Sequence, residues 1–142
     1  MPSTELSLLH STFWPYAERF FRLANAELHL GGNVNIRPVE TLRSFDRQLS
    51  LEAAGASKNP VGKHNFGHAF DFGVFIDGAY QPDDTSGLYL RCGFLGMALG
   101  MRWGGNWDRD KNIAEAGEND LGHLENASVT VQQLIEQAGL QT

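Results

Sequence analysis

The segment 67–77 constrains this chain most. It reads Gly-His-Ala-Phe-Asp-Phe-Gly-Val-Phe-Ile-Asp. Over 69–77 its phenylalanines and other β-forming residues predict a buried strand that ends in a turn near Asp77-Gly78. Side chains alternate across a strand, so Gly67, Ala69 and Asp71 share one face, and His68, Phe70 and Phe72 share the other. The aromatic face supplies core. On the opposite face two small residues lead up to a carboxylate, which leaves room for a ligand beside the backbone. The plain reading of Asp71 is a strand-end residue. Held between Phe70 and Phe72, however, it should be buried and must find a strong partner.

The flanking segments supply the layers such a strand needs. Phe13, Ala17, Phe20, Phe21, Ala24 and Leu28 recur at helical spacing, with Pro15 tolerable near the first turn and Gly31-Gly32 as the stop. Residues 33–41 read as a short strand that Pro38 confines to an edge or an end. Ser44 is the expected N-cap of a helix running to Ala54, with Gly55 after it and a polar loop over 56–62. Gln81 opens another loop, to Gly87. In 88–99, Leu88, Cys92, Leu95 and Leu99 form one helical stripe. Gly93, Gly96 and Gly100 form a second, suited to close packing against a neighbouring backbone. Residues 101–107 read as a strand and turn, 108–119 as a polar stretch, and His123 as part of a short strand. Residues 130–138 form a closing helix with Val131, Leu134 and Ile135 inward. A helix cap accounts for Asn126-Ala127-Ser128 better than a glycosylation site does. Helices and short strands alternate without a βαβ rhythm, so the fold class is α+β.

At 142 residues the chain suits one domain, 1–142, with one core. Its formal charge of −6 argues against nucleic acid or an anionic membrane as partner, although charge around a cleft can oppose the net value. Cys92 is the only cysteine, so no intrachain disulfide forms, and its apolar neighbours make it a small core residue. No apolar run is long enough to span a bilayer, and the start of the chain does not read as a cleaved leader. We therefore expect synthesis in the cytoplasm.

Five histidines are present. His10 and His29 lie in or beside the first helix with no metal partner nearby in sequence, and both read as structural. His64 stands in a loop just before the strand that carries Asp71. Asp120 precedes His123 by three residues, a spacing that can place a carboxylate beside a histidine-bound metal as a general base without ligating it. Taken alone, that pair reads equally as a solvated loop with a chance Asp–His contact.

Together these segments resemble a known family. His64-x-x-Gly67-x-Ala69-x-Asp71 and, about fifty residues later, Asp120-x-x-His123 are similar to the signature of the D-Ala-D-Ala metallopeptidase superfamily. The branch they most resemble is the phage-type L-alanyl-D-glutamate endopeptidases. Residues 41–48, Thr-Leu-Arg-Ser-Phe-Asp-Arg-Gln, resemble an upstream Arg-Ser-x-x-x-Gln element, and Trp103-Gly104-Gly105-Asn106-Trp107 resembles a Trp-Gly-Gly-Asp-Trp element. The match spans roughly 33–126. It departs at Gly62, where the pattern has Ser, at Asn106, where it has Asp, and at Gly122 and Leu124, which replace Pro and an aromatic residue.

The resemblance implies a hedgehog/D-Ala-D-Ala-peptidase-like domain, a small antiparallel sheet flanked by helices. It implies a Zn2+ ion held by His64, Asp71 and His123 with water as the fourth ligand, a donor set that suits an open catalytic zinc site. Asp120 would be the base. Arg43 would stabilise the oxyanion or hold a substrate carboxylate, against the plainer reading of a surface ion pair with Asp46 or Glu40. His68, Trp103, Asn106, Trp107 and Glu125 are candidates to bind substrate or support the metal ligands, although strand alternation points His68 away from Asp71.

The implied function is zinc-dependent hydrolysis of the peptidoglycan stem peptide, L-Ala–D-Glu endopeptidase before D,D-carboxypeptidase or dipeptidase. The partner would be peptidoglycan peptides and the protein a monomer, a bacteriolytic endolysin released through a holin or exported by a secretion machine. Two other readings are a zinc-binding module of the same fold without catalysis, against which Asp120 counts, and a non-haem iron oxygenase using two histidines and a carboxylate.

Overall fold

The computed structural model describes residues 2–26, 32–55, 61–107 and 120–139. The expected helix end at Leu28, His29, residues 56–60 of the first loop and the polar stretch 108–119 lie outside the described residues. The elements are α1 (Trp14–Ala26), β1 (Val34–Glu40), α2 (Phe45–Ala53), β2 (Ala69–Ile76), β3 (Ala79–Gln81), α3 (Leu88–Ala98), β4 (Met101–Gly104), β5 (Asp120–Asn126) and α4 (Val131–Gln137). All strand pairs are antiparallel, in the order β1-β2-β5-β4, with β3 paired to β2. The architecture is α+β, as the sequence pattern predicts.

β2 is the central strand. β1 runs along one edge of it, and β5 and β3 share the other, pairing with residues 69–71 and 74–76. As expected of a strand with Pro38, β1 lies at an edge, and its register shifts between Pro38 and Glu40. β3 was not anticipated, because the reading stopped at the turn. Asp77 and Gly78 both have positive φ, 51° and 80°, and connect Ile76 to its partner Ala79 as a two-residue hairpin. Asp-Gly is the sequence signal for that turn.

The sheet has two unlike faces. Phe70, Phe72 and Val74 of β2, Ile36 of β1, Leu124 of β5 and Trp103 of β4 join one core cluster with Phe13, Ala17, Phe20 and Phe21. Phe20 packs on Phe70 and Phe72 with ring centroids 5.6 and 5.1 Å apart. Each such buried aromatic contributes on the order of 1.5–3 kcal/mol from the area it removes from water.

The glycine stripe of α3 works through side chains, not through a neighbouring backbone. A Cβ on Gly93 would lie 2.1 Å from Trp103 Cε2, and one on Gly96 would lie 2.3 Å from Leu124 Cδ2. The helix therefore sits directly on the β4 and β5 side chains. Gly100 takes no part in that packing and follows the helix end with φ +94°.

Ser44 caps α2 by accepting from Arg47 N at 3.1 Å, as expected. Thr130, not Asn126, caps α4, and Gln133 completes a capping box. Asn126 Oδ1 instead accepts from Ser128 N within its own turn. Cys92 is fully buried, and burial raises its thiol pKa to about 12, as suits a core residue. No described helix is long and apolar enough to cross a membrane.

Candidate metal centre

Strand register builds the floor of the site. Asp71 on β2 lies opposite His123 on β5, and Glu40 on β1 lies opposite Asp71. Three charged or ligating side chains thus form a row across three strands, on the face turned away from the aromatic core.

His64 enters from a 3-10 turn, Lys63–Phe66, that leads into β2. Asn65 anchors this turn. Its Oδ1 accepts from Gly62 N at 2.8 Å, and its Nδ2 donates to the carbonyls of Arg43 and Ser44 at 3.0 and 3.1 Å. Gly67 ends the turn at φ 74°, where a Cβ would lie 2.6 Å from His10 N. Glycine is required there on both counts.

The three donors converge. Asp71 Oδ1 lies 3.2 Å from His64 Nε2 and 3.1 Å from His123 Nδ1, and one ligand atom from each residue lies within 4.8 Å of the others. Donors each about 2.0–2.1 Å from a tetrahedral ion stand roughly 3.3 Å apart, so the spacing fits a single ion. The remaining ring nitrogens are both engaged. His64 Nδ1 lies 2.9 Å from the Thr41 carbonyl, and His123 Nε2 lies 2.9 Å from Glu125 Oε1. A carbonyl and a carboxylate can only accept, so each ring presents its bare nitrogen to an ion when neutral. The cluster could hold a metal ion.

Electrostatics agree with that geometry. Burial alone would raise the Asp71 pKa, but the imidazoles of His64 and His123 hold its carboxyl well below the usual range. Burial alone would lower that of His123, yet the hydrogen bonds its ring donates to the Asp71 and Glu125 carboxylates raise it to about 10. Against burial, His123 and Lys63 bring Glu125 down to about 2. A divalent cation can take the place of the proton that these carboxylates stabilise.

Charged side chains surround the centre in a cavity of about 900 Å³. Glu40 is buried and accepts from Arg43 Nη2 at 2.6 Å and from Arg47 Nε at 2.5 Å. Lys63 is buried, ion-paired with Glu125, and donates to the Asn126 carbonyl at 2.8 Å. Four cations (Arg43, Arg47, Lys63, Arg102) and four carboxylates (Glu40, Asp71, Asp120, Glu125) line the cavity. In a chain of net charge −6, these eight described side chains balance one another, and the protonated His123 adds a positive charge before any ion binds.

Of the sequence candidates, the structure brings Arg43, Asp120, Trp107 and Glu125 to the cluster. Arg43 lies 3.7 Å from Asp71 Oδ2, half-buried and paired with Glu40, where a surface pair was the alternative reading. Among the described residues its buried Nε has no hydrogen-bond partner. Asp120 Oδ2 stands 3.9 Å from His123 Nδ1 with its side chain 60% exposed. Loss of hydration in the cleft, together with the Asp71 charge, raises its pKa against the pull of His123, His64 and Arg43. The Trp107 ring lies 5.2 Å from that of His123.

Three candidates lie elsewhere. His68 is on the core side, stacked on His10 at 4.5 Å with Asn126 Nδ2 3.0 Å from its Nδ1, as strand alternation requires. Trp103 is fully buried in the core, and its Nε1 donates to the Leu121 carbonyl at 2.8 Å. Asn106 is buried behind β4, with Nδ2 3.7 Å from Met97 Sδ. The sequence reading missed the cavity roles of Glu40, Lys63 and Arg102. Glu40, Arg43 and Arg47 stand at helix-like spacing, and Lys63 adjoins a ligand; these were the available signals.

A search of solved structures finds a whole-chain likeness. The crystal structure of the Serratia marcescens L-Ala D-Glu endopeptidase ChiX matches with a TM-score of 0.59 and 25% identity, over 91% of this chain and 86% of that one. The chain has the fold of an L-Ala D-Glu endopeptidase. Its resemblance to the D-Ala-D-Ala metallopeptidase superfamily thus extends from motifs to architecture. No family model matches the sequence, and neither does any curated protein.

Proposed function

We propose that this protein is a zinc-dependent peptidase that cleaves the peptidoglycan stem peptide, at the L-Ala–D-Glu bond. The observation that carries this reading is the convergence of His64 Nε2, Asp71 Oδ1 and His123 Nδ1 in a fold shared with an L-Ala D-Glu endopeptidase. Two imidazoles and one carboxylate, with room left in the cavity, suit zinc in a catalytic site.

Zinc, when bound there, supplies a Lewis acid that polarises the scissile carbonyl and acidifies water. The chain's own groups do the rest. Asp120, at the cavity mouth beside His123, takes the proton of the attacking water and returns it to the leaving amine. Arg43, fixed by Glu40 and Gln48, faces the developing oxyanion. Glu125 orients the His123 ring.

The test is digestion of purified peptidoglycan with and without a chelator, reading the new termini by mass spectrometry. New N-terminal D-glutamate groups, lost on chelation and restored by zinc, are the expected result. Free D-alanine would overturn the bond assignment, and unchanged digestion in chelator would overturn the metal's role.

A further inference from the structure

Arg102 differs from the other cations of the cleft in how its charge is spent. It projects from β4 beside Glu125, its partner in the β4–β5 register. Its guanidinium lies over the Trp107 ring, 5.3 Å from the centroid, and Nη2 donates to the Trp107 carbonyl at 2.9 Å. These two contacts fix the plane of the fork. The contact to Glu125 is long, 3.5 Å from Nη1 to Oε2, and the side chain remains 31% exposed.

Glu125 is already served by others. Its Oε2 is ion-paired with the buried Lys63, and its Oε1 meets His123 Nε2 at 2.9 Å. One carboxylate thus faces two cations, Lys63 and Arg102, and among the described residues a positive charge is left over on this side. At the other end of the cleft, Arg43 and Arg47 both hold Glu40 at hydrogen-bonding distance. The surplus on the β4–β5 side therefore belongs to a partly open, oriented guanidinium, a geometry that matches a carboxylate bidentately.

We propose that Arg102 is a specificity-determining residue that binds a free carboxylate of the substrate peptide. The proposal rests on the peptidase reading for its substrate. The D-glutamate of an L-Ala–D-Glu link supplies such a carboxylate when its α-carboxyl is free and loses it when that group is amidated.

Calorimetry on zinc-loaded Asp120→Ala protein tests this with two probes, both blocked as an amide at the lysine C-terminus: L-Ala-γ-D-Glu-L-Lys-NH2 carrying the free glutamate α-carboxylate, and the same peptide with that group as its α-amide. Arg102→Gln should weaken binding of the acid about tenfold or more while leaving the amide within about twofold, and Arg102→Lys should fall between, keeping charge but not the fork. Equal loss for both peptides would reveal a packing role through Trp107 and Glu125 and overturn the proposal. So would no loss for the acid, or a parent protein that does not prefer the acid. Wild-type turnover of the same peptides is scored separately. Failure to cleave counts against the peptidase reading, while selective binding through Arg102 stands or falls on the calorimetry.

Discussion

Glu125→Gln probes the support of the metal centre most directly. Glu125 is buried, accepts from His123 at 2.9 Å, and is the ion partner of Lys63, whose side chain is only 7% exposed. Glutamine keeps the shape, and its carbonyl still accepts from the imidazole, but the charge is gone. Two effects follow, and they have different sizes. Removing one partner of a buried pair leaves the other charge uncompensated, which costs about 3–5 kcal/mol. Arg102, 3.5 Å away, adds to the repulsion. Weakening the outer-shell partner of a ligating histidine lowers metal affinity about 10–100-fold, and the lower end applies because the hydrogen bond survives. The double variant Lys63→Met/Glu125→Gln separates the two, since it removes the stranded cation but restores nothing to His123. Chemical denaturation of metal-free protein should show a large loss in the single variant and substantial recovery in the double. Zinc affinity, read by competition with a chelating dye, should stay low in both. Recovery of zinc affinity along with stability would refute the reasoning, because it would mean that Glu125 acts on the centre only by neutralising Lys63.

Other perturbations test separate steps. Asp120→Ala should retain zinc and lose turnover, whereas His64→Ala should lose both; if Asp120→Ala stays fully active, another group is the base. Gly93→Ala and Gly96→Ala should each destabilise by about 1–3 kcal/mol, the first more, because its Cβ meets the rigid Trp103 indole and the second meets the end of Leu124. Thermal unfolding ranks the two, and a reversed order would contradict the packing described. His68 gives a pH dependence. Burial, His10 and Lys63 hold its imidazole at about 4, against 6.5 for the free side chain. The unfolded chain therefore binds the extra proton between those values, and stability falls as pH drops from 6.5 toward 4. His68→Gln should flatten that slope in denaturation curves taken across the range; an unchanged slope would assign the acid sensitivity to other groups.

What was legible in the sequence was whatever local alternation and spacing encode. The Phe70-Asp71-Phe72 run requires a strand with core on one side and a carboxylate on the other, and the structure has both. The same alternation excluded His68 from the centre, and His68 stacks on His10 on the core side. Pro38 marked an edge strand, and Ser44 marked a helix start. What was not legible depends on pairing across strands. Nothing in residues 101–107 alone says which of Arg102 and Trp103 faces the cleft. The β4–β5 register decides it, setting Arg102 against Glu125 and Trp103 against Leu124. The motif residue Trp103 thereby became core, and the unremarked Arg102 became part of the site. Glu40 follows the same rule, since only its register partner Asp71 makes it the anchor of Arg43 and Arg47. A catalytic motif names ligands that must meet one ion whatever the sheet's register. The groups that orient those ligands and read the substrate are set by the register itself, and variation among proteins of this fold should concentrate at such cross-strand positions.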